Sequence, residues 1–240
     1  MNKSKKQIYV FCDFDGTIAL KDIGDELFKT YSKFEPYRTQ LLSKEISVST
    51  YWNKLCQNLP VGFSKKDILN FIKDIDIDPY FNQFVKLCNE NAFPLKIVSD
   101  GFSDYIIPFL EMNNIDGVEV ASNYLSYDNH IKPHFPGATE SCNCFSASCK
   151  RNAVLKNVAD EAYIVYIGDG YSDYCPIEYA DIIFAKKSLA RYCNDNKIPH
   201  YNYTSFFDII RIFKEIIILK LKLKHRRQAE LKRIEAYYIE

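Results

Sequence analysis

Three short runs of β-branched and aromatic residues each end in polar residues beside a glycine: IYVFCDFDG with Asp13 and Asp15, LKIVSDG with Ser99 and Asp100, and AYIVYIGDG with Asp169. Runs of this length and composition read as strands buried on both faces. The helical periods between them supply the long crossovers that parallel strands need. Strand and helix alternation of this kind predicts an α/β fold, a parallel sheet with helices on both faces. It also predicts where chemistry sits, because the carboxyl ends of parallel strands open on one crevice.

Between the first two runs the period changes. Val48, Tyr51, Trp52, Leu55 and Leu59 share one helical face, as do Ile68, Phe71, Ile72 and Ile75, then Phe81, Phe84, Val85 and Cys88. Ser64 with Asp67 three residues on resembles a capping box. Residues 20–92 therefore read as a small all-helical insertion, and 1–19 with 93–240 as the core domain. Aromatic residues such as Trp52, Phe63 and Phe71 are read as core of the insertion. Further along, a helix is expected over about 102–113, a strand at VEVAS, a helix after Lys150, a helix after Ser172 and a strand at DIIFA. Asn123 to Pro136 reads as a β-hairpin turning at Asp128-Asn129. The basic segment KLKLKHRRQAELKR lacks a clean apolar face and is expected to be a solvated terminal helix.

Composition narrows the partners. Of 240 residues, 47% are hydrophobic, enough for a full core, and 31 Lys plus Arg balance 31 Asp plus Glu. No global field favours nucleic acid, so a small molecule is the expected partner. The longest aliphatic cluster, Ile216 to Leu219, is far short of a membrane span. The opening basic and apolar stretch is interrupted by Asp13 and Asp15 before reaching signal-peptide length. With that, eight cysteines point to a reduced, cytoplasmic setting.

The chemistry-bearing residues lie at the predicted element ends. Asp13 and Asp15 place two carboxylates beside a glycine-loosened loop, and like charges so close call for a cation or a shared proton. Alone, the pair could be solvated turn aspartates. Asp169 and Asp173, four apart in GDGYSD, stand where a parallel sheet would bring them to Asp13; alone they would be a turn and a helix cap. Ser99, with the amides of Asp100 and Gly101 beside it, suits phosphoryl oxygens, although strand-end serines commonly serve as caps. Lys150 opens a helix, where a cation opposes the macrodipole unless something anionic offsets it; otherwise it is a surface lysine.

Taken in order, DFDGTI, the strand ending in Ser99, Lys150 and GDGYSD resemble the four motifs of haloacid dehalogenase superfamily phosphatases, over most of the chain. The resemblance implies a Rossmann-like core with a helical cap after the first strand, similar to the phosphoserine phosphatase branch. IVSDGFSDYI, SCNCFSASCK and YIGDGYSDYCP are similar to a subgroup acting on a methionine-salvage enol phosphate, phosphoethanolamine, phosphocholine or pyridoxal phosphate. It implies Asp13 as nucleophile and Asp15 as general acid and base. It further implies Mg²⁺ on Asp13, the Asp15 carbonyl and Asp169 with Asp173 behind, and Ser99, Asp100, Gly101 and Lys150 around the phosphoryl group. Asp22, nine residues after Asp13, matches an acidic substrate-binding position at the cap entrance.

Two rival classes are carried beside this reading. A ligand-binding relative that has lost catalysis would lack a motif residue, and none is missing. A zinc-dependent interaction module would use Cys142, Cys144, Cys149 and Cys175, which the fold can bring to one end of the sheet, with His130 and His134 on the hairpin nearby. The C-x-C-x₄-C spacing is not that of a standard zinc knuckle, so reduced cysteines packed in a loop are the expectation.

Overall fold

The computed structural model describes residues 7–128, 130–139, 142–156, 158–159, 161–218 and 223–239. Its strands are β1 (Ile8–Cys12), β2 (Leu95–Phe102), β3 (Glu119–Tyr127), β4 (Ile131–His134), β5 (Tyr163–Gly168), β6 (Ile182–Ala185) and β7 (Tyr201–Asn202). They form one sheet in the order β4-β3-β2-β1-β5-β6-β7, parallel except for the β3–β4 hairpin. The chain builds outward from β1 to β4 on one side, then returns to β5 on the other. β1 and β5 thus flank the point where strand order reverses, which is where such sheets bind ligands. The expected hairpin is present; of its turn, Asn129 lies outside the described residues.

Alternation along the strands separates two cores. Val10, Cys12, Ile97, Val165, Ile167 and Phe184 face one layer, and Phe11, Val98, Ile164, Tyr166 and Ile183 the other. Five helices follow β1: α1 (Ile23–Tyr31), α2 (Tyr37–Leu42), α3 (Val48–Gln57), α4 (Lys65–Ile72) and α5 (Phe81–Glu90). Ser64 and Asp67 do form the capping box at the start of α4. Phe63 and Phe71 pack edge-on against Tyr31, as core of this helical group.

Within the expected 20–92 insertion, the chain is drawn together at one place. Ala19 and Ile77 form a bridge where the chain leaves and re-enters, supported by bonds from the amides of Leu20 to Asp76 and of Asp78 to Ile18. Beyond that bridge α5 turns to the sheet layer: Phe84 packs on Phe206 and Phe213, and Phe213 stacks on Phe184 of β6. The expected 20–92 insertion thus spans α5 as well as α1 to α4. The amphipathic period of α5 cannot tell a helix covering the sheet from one covering other helices.

The remaining helices are α6 (Ser103–Met112), α7 (Lys150–Leu155), α8 (Lys187–Asp195), α9 (Phe206–Ile212) and α10 (Arg227–Ile239). Two expectations fail. No helix follows Ser172: two 3₁₀ turns, Tyr171–Asp173 and Pro176–Tyr179, stand there instead. Asp173 bends back to cap its own turn, and Pro176 has no N–H to continue a helix. Nor is the terminal helix merely solvated. Arg233 is buried and donates to the Tyr179 carbonyl and the Asp181 carboxylate, while Arg226 donates to the carbonyls of Ile177, Glu178 and Ala180. These guanidiniums satisfy carbonyls that the short turn leaves open. Residues 219–222, which include the start of that basic segment, lie outside the described residues. Among the described residues no helix is long and apolar enough to cross a membrane.

Candidate active site

β1 ends at Cys12, so Asp13 and Asp15 leave the sheet at its centre, with β5 delivering Asp169 on one side and β2 delivering Ser99 on the other. Gly16, at φ +72°, turns the chain away in a conformation that L side chains rarely adopt, and a Cβ there would meet the Asp169 carboxylate. These residues floor a cleft of about 310 Å³, lined also by Asp22, Asp25, Arg38, Trp52, Phe145, Lys150 and Lys187.

Lys150, at the first position of α7, is 3% exposed and reaches across to Asp13 Oδ1 at 2.6 Å and Asp173 Oδ1 at 2.7 Å. Burial works against its charge, but Asp13 and Asp173 overcome that and hold the ammonium protonated well above the ordinary lysine range. The anionic offset expected at this helix start is thus two buried carboxylates. Asp173 is fully buried and saturated: Oδ1 also accepts from Tyr166 at 2.7 Å, and Oδ2 accepts from the amides of Asp169 and Gly170 at 3.0 Å each. A Cβ at Gly168 would strike this carboxylate.

Oxygens of Asp13, Asp169 and Asp173 all lie within 4.8 Å of one another. Burial, and then the Asp173 charge, push the Asp13 carboxyl well above the usual range, with Lys150 pulling it back. Three carboxylates against one buried ammonium leave negative charge uncompensated at the end of β1. Hard oxygen donors at this spacing fit a hard divalent cation. Because both Asp173 oxygens are occupied by donors, the open lone pairs are those of Asp13 and Asp169. Asp169 is partly screened by Lys187, whose ammonium sits 2.8 Å from Oδ2.

Asp15 accepts from the Ile23 amide and from the Tyr105 hydroxyl, each at 2.8 Å. Its carboxyl is pushed up to about 6, burial outweighing those two donors. Ser99 Oγ accepts from the Gly101 amide at 2.9 Å and lies 3.5 Å from Asp15. Asp100 and Gly101, expected beside a phosphoryl group, line the cleft wall with Ser99. The Asp100 carboxylate accepts from the amides of Ala147 and Ser148 and from the Asn123 amide group, pinning the loop before Lys150 to the end of β2. Gly101 leaves room for Tyr105, whose hydroxyl a Cβ would strike.

Asp22 stands at the cleft mouth as the N-cap of α1, accepting from the Asp25 amide at 2.8 Å. Its side chain keeps solvent contact, yet desolvation by the cleft walls, then the charges of Asp15 and Asp25, hold its carboxyl well above the usual range. Arg38 pairs with Asp25 at 2.9 Å, and Tyr51 donates to the same carboxylate. Trp52, read from sequence as core, is nearly buried yet also lines the cleft, and its Nε1 has no hydrogen-bond partner among the described residues. Tyr105, Tyr166, Lys187 and the Asp25–Arg38 pair escaped the sequence reading. Each is a single side chain placed by packing, with no spacing to mark it; Tyr105 alone had a local cue, four residues beyond a strand-end glycine.

A parallel sheet with a buried lysine, three clustered carboxylates and a strand-end serine around its switch point defines the phosphatases of the haloacid dehalogenase superfamily. Residues 8–200 match the sequence model of a family described as Putative Phosphatase, and the chain belongs to that family. It is a phosphoric monoester hydrolase, and a divalent-metal requirement goes with the family. A 2-hydroxy-3-keto-5-methylthiopentenyl-1-phosphate phosphatase of Brevibacillus brevis is 30% identical, with 88% of this chain and 97% of that one covered. Its counterpart in Geobacillus thermodenitrificans is 29% identical over 86% and 95%. Among solved structures, apo phosphoserine phosphatase aligns with TM-score 0.63 at 18% identity, covering 88% of this chain and all of that one. A phospho-aspartyl intermediate analogue of phosphoserine phosphatase aligns with TM-score 0.61 at 17% identity, over 89% and 100%. At such identities the structures establish the fold alone.

Proposed function

We propose that the enzyme hydrolyses a small phosphomonoester by passing the phosphoryl group first to Asp13 and then to water. The observation that carries this reading is the Asp13 carboxylate, set at the end of the central strand on the cleft floor, 2.6 Å from a buried ammonium. Asp13 attacks phosphorus as the ester oxygen departs, and Asp15 gives that oxygen its proton. Asp15 then takes a proton from the water that cleaves the aspartyl-phosphate, which restores the Asp13 carboxylate and the Asp15 acid. Lys150 and Ser99 hold the phosphoryl oxygens, the main task in this chemistry, where positioning and charge compensation dominate. Mg²⁺ is the cation we assign to Asp13, Asp169 and the Asp15 carbonyl, with Asp173 orienting Lys150 and the Asp169 loop behind them. When bound, it neutralises charge on the transferring oxygens. Residues 20–77 act as a cap that shields the cleft from water, with Trp52 packed edge-on against Phe102 of β2 as its joint to the sheet.

The substrate we assign is the enol phosphate for which the bacterial relatives are named. A second reading rests on Asp22. It is a carboxylate at the cleft mouth, where Arg38 is paired with Asp25, close to the aromatic wall of Tyr51 and Trp52. That combination suits an ammonium head group, as in phosphoethanolamine or phosphocholine. Phosphate release from a panel of these esters with phosphoserine and pyridoxal phosphate, in Mg²⁺ and then EDTA, tests both. A chelator-sensitive preference for one ester names the substrate; turnover undiminished in Asp13→Asn would sink the mechanism.

A further inference from the structure

Four cysteines that the phosphatase chemistry does not use meet at one place. Cys142, Cys144 and Cys149 come from the segment between β4 and α7, and Cys175 from the turn just after Asp173. Their sulfurs all lie within 4.8 Å of one another, with Cys142 and Cys175 at 3.5 Å and Cys149 and Cys175 at 3.8 Å. Zinc held tetrahedrally by thiolates at about 2.3 Å places the sulfurs about 3.8 Å apart. The cluster already has nearly that size, with four soft donors, and His134 of the hairpin is not among them. His134 is hydrogen-bonded to Ser126 and stacked on Tyr124 instead.

We propose that Cys142, Cys144, Cys149 and Cys175 hold a structural zinc ion, separate from the carboxylate site. The remaining cysteines show what a merely packed thiol looks like here. Cys56, Cys88 and Cys193 are buried singly, and burial pushes their thiols up to about 12, about 12 and about 11. In the cluster, by contrast, four sulfurs from two separate segments converge within 4.8 Å of one another, an arrangement that packing of single thiols does not produce. Ser146 Oγ lies 3.2 Å from the Cys144 sulfur. A closed four-sulfur set with no open position is the structural kind of zinc site, since catalytic ones keep a position for water or substrate. Thiolate donors also separate it from the hard-oxygen site on Asp13 and Asp169.

The ion's place in the chain gives it a task. Cys149 immediately precedes Lys150, and Cys175 lies two residues after Asp173, so the site ties together the two segments whose side chains form the buried 2.7 Å ion pair. The segment 142–149 has no helix or strand of its own, and zinc there fixes where Lys150 enters the cleft.

The test uses the full chain, purified in reductant without chelator from zinc-supplemented medium. About one zinc per chain is expected, with X-ray absorption showing four sulfurs at about 2.3 Å. Cys144→Ser and Cys175→Ser should each lose at least nine-tenths of the zinc, while Cys56→Ser, Cys193→Ser and Asp13→Asn retain it. Iron in place of zinc, zinc surrounded by oxygen, or metal-free protein would overturn the proposal. So would a disulfide among the four found by alkylation without reduction. The absorption measurement on the unaltered protein decides the matter even if a cysteine variant fails to fold.

Discussion

On the floor of the cleft each chemical group is fixed by a strand end or helix start and by buried partners: Asp13 by Lys150, Asp15 by Tyr105 and the Ile23 amide, Asp173 by four donors. At the rim Asp22, Asp25 and Arg38 stand on the helical insertion and keep contact with solvent. In the mechanism we propose, the floor acts on a phosphoryl group common to every phosphomonoester and the rim meets whatever that group is attached to. Asp13 and Asp173 of the floor are buried and the rim groups keep contact with solvent, so substitutions in the two regions should fail in different ways.

The largest effect should come from the floor. Asp13→Asn removes the nucleophile we propose while keeping its shape, and kcat should fall by a factor on the order of 10⁴ or more with the fold intact. Steady-state phosphate release and thermal unfolding measured together check this, and a kcat loss under tenfold would mean that the floor does not work as described. Asp173→Ala should differ, because it leaves the buried Lys150 ammonium with Asp13 alone and strands a tyrosine hydroxyl and two amides at once. Breaking a buried ion pair costs about 3–5 kcal/mol, which for a chain of this size lowers the melting midpoint by roughly 10 °C. If Asp173→Ala lost activity at unchanged stability, the aspartate would be acting on the reaction directly rather than by holding Lys150.

The rim should respond more weakly and only for some substrates. Asp22→Asn removes the carboxylate available to an ammonium head group, and KM for phosphoethanolamine should rise about tenfold with kcat unchanged, as for a lost rim charge worth about 1.4 kcal/mol. KM for the enol phosphate should not move. The pH dependence has a definite sign. Desolvation and then the charges of Asp15 and Asp25 hold the Asp22 proton above the usual carboxylate range, so the side chain becomes an anion only as pH rises through that raised value. KM for an ammonium ester should therefore fall with rising pH in the native enzyme and lie flat in Asp22→Asn. Equal shifts for both esters would erase the distinction between floor and rim.

The same division governs what could be read from the sequence. Asp13, Ser99 and Asp169 sit at the ends of apolar runs, where strand period and terminal glycine are local signals, and a parallel sheet brings those ends together regardless of loop detail. Tyr105, Tyr166 and Lys187 reach the site from helices or from a strand interior, through contacts that have no sequence period. The cysteine cluster lay between these cases. Its members were visible, but their meeting depended on a turn after Asp173 that was expected to be a helix and on a loop pinned by the Asp100 carboxylate. The bridge between Ala19 and Ile77 is likewise one pair of backbone contacts, invisible to hydrophobic periodicity.

The smallest expected effect asks whether roof and floor melt as one. α4 packs against α1 and α6, and its first turn is closed by the Ser64–Asp67 box, 2.8 Å between hydroxyl and carboxylate. Ser64→Ala should cost about 1 kcal/mol of cap stability, a shift of about 3 °C in the melting midpoint. Amide exchange can locate that cost. If the insertion is a separate unit hinged at Ala19 and Ile77, exchange should quicken across α1 to α4 alone, while β1 and β5 keep their protection. The aromatic joint of Phe28 and Trp52 on Phe102 opposes such independence, since opening the roof exposes Phe102, which is fully buried at the end of the strand carrying Ser99. Exchange quickening equally in β2 and in α4 would show that the joint outweighs the hinge. The cap would then reach the phosphoryl site through its packing as well as by covering it.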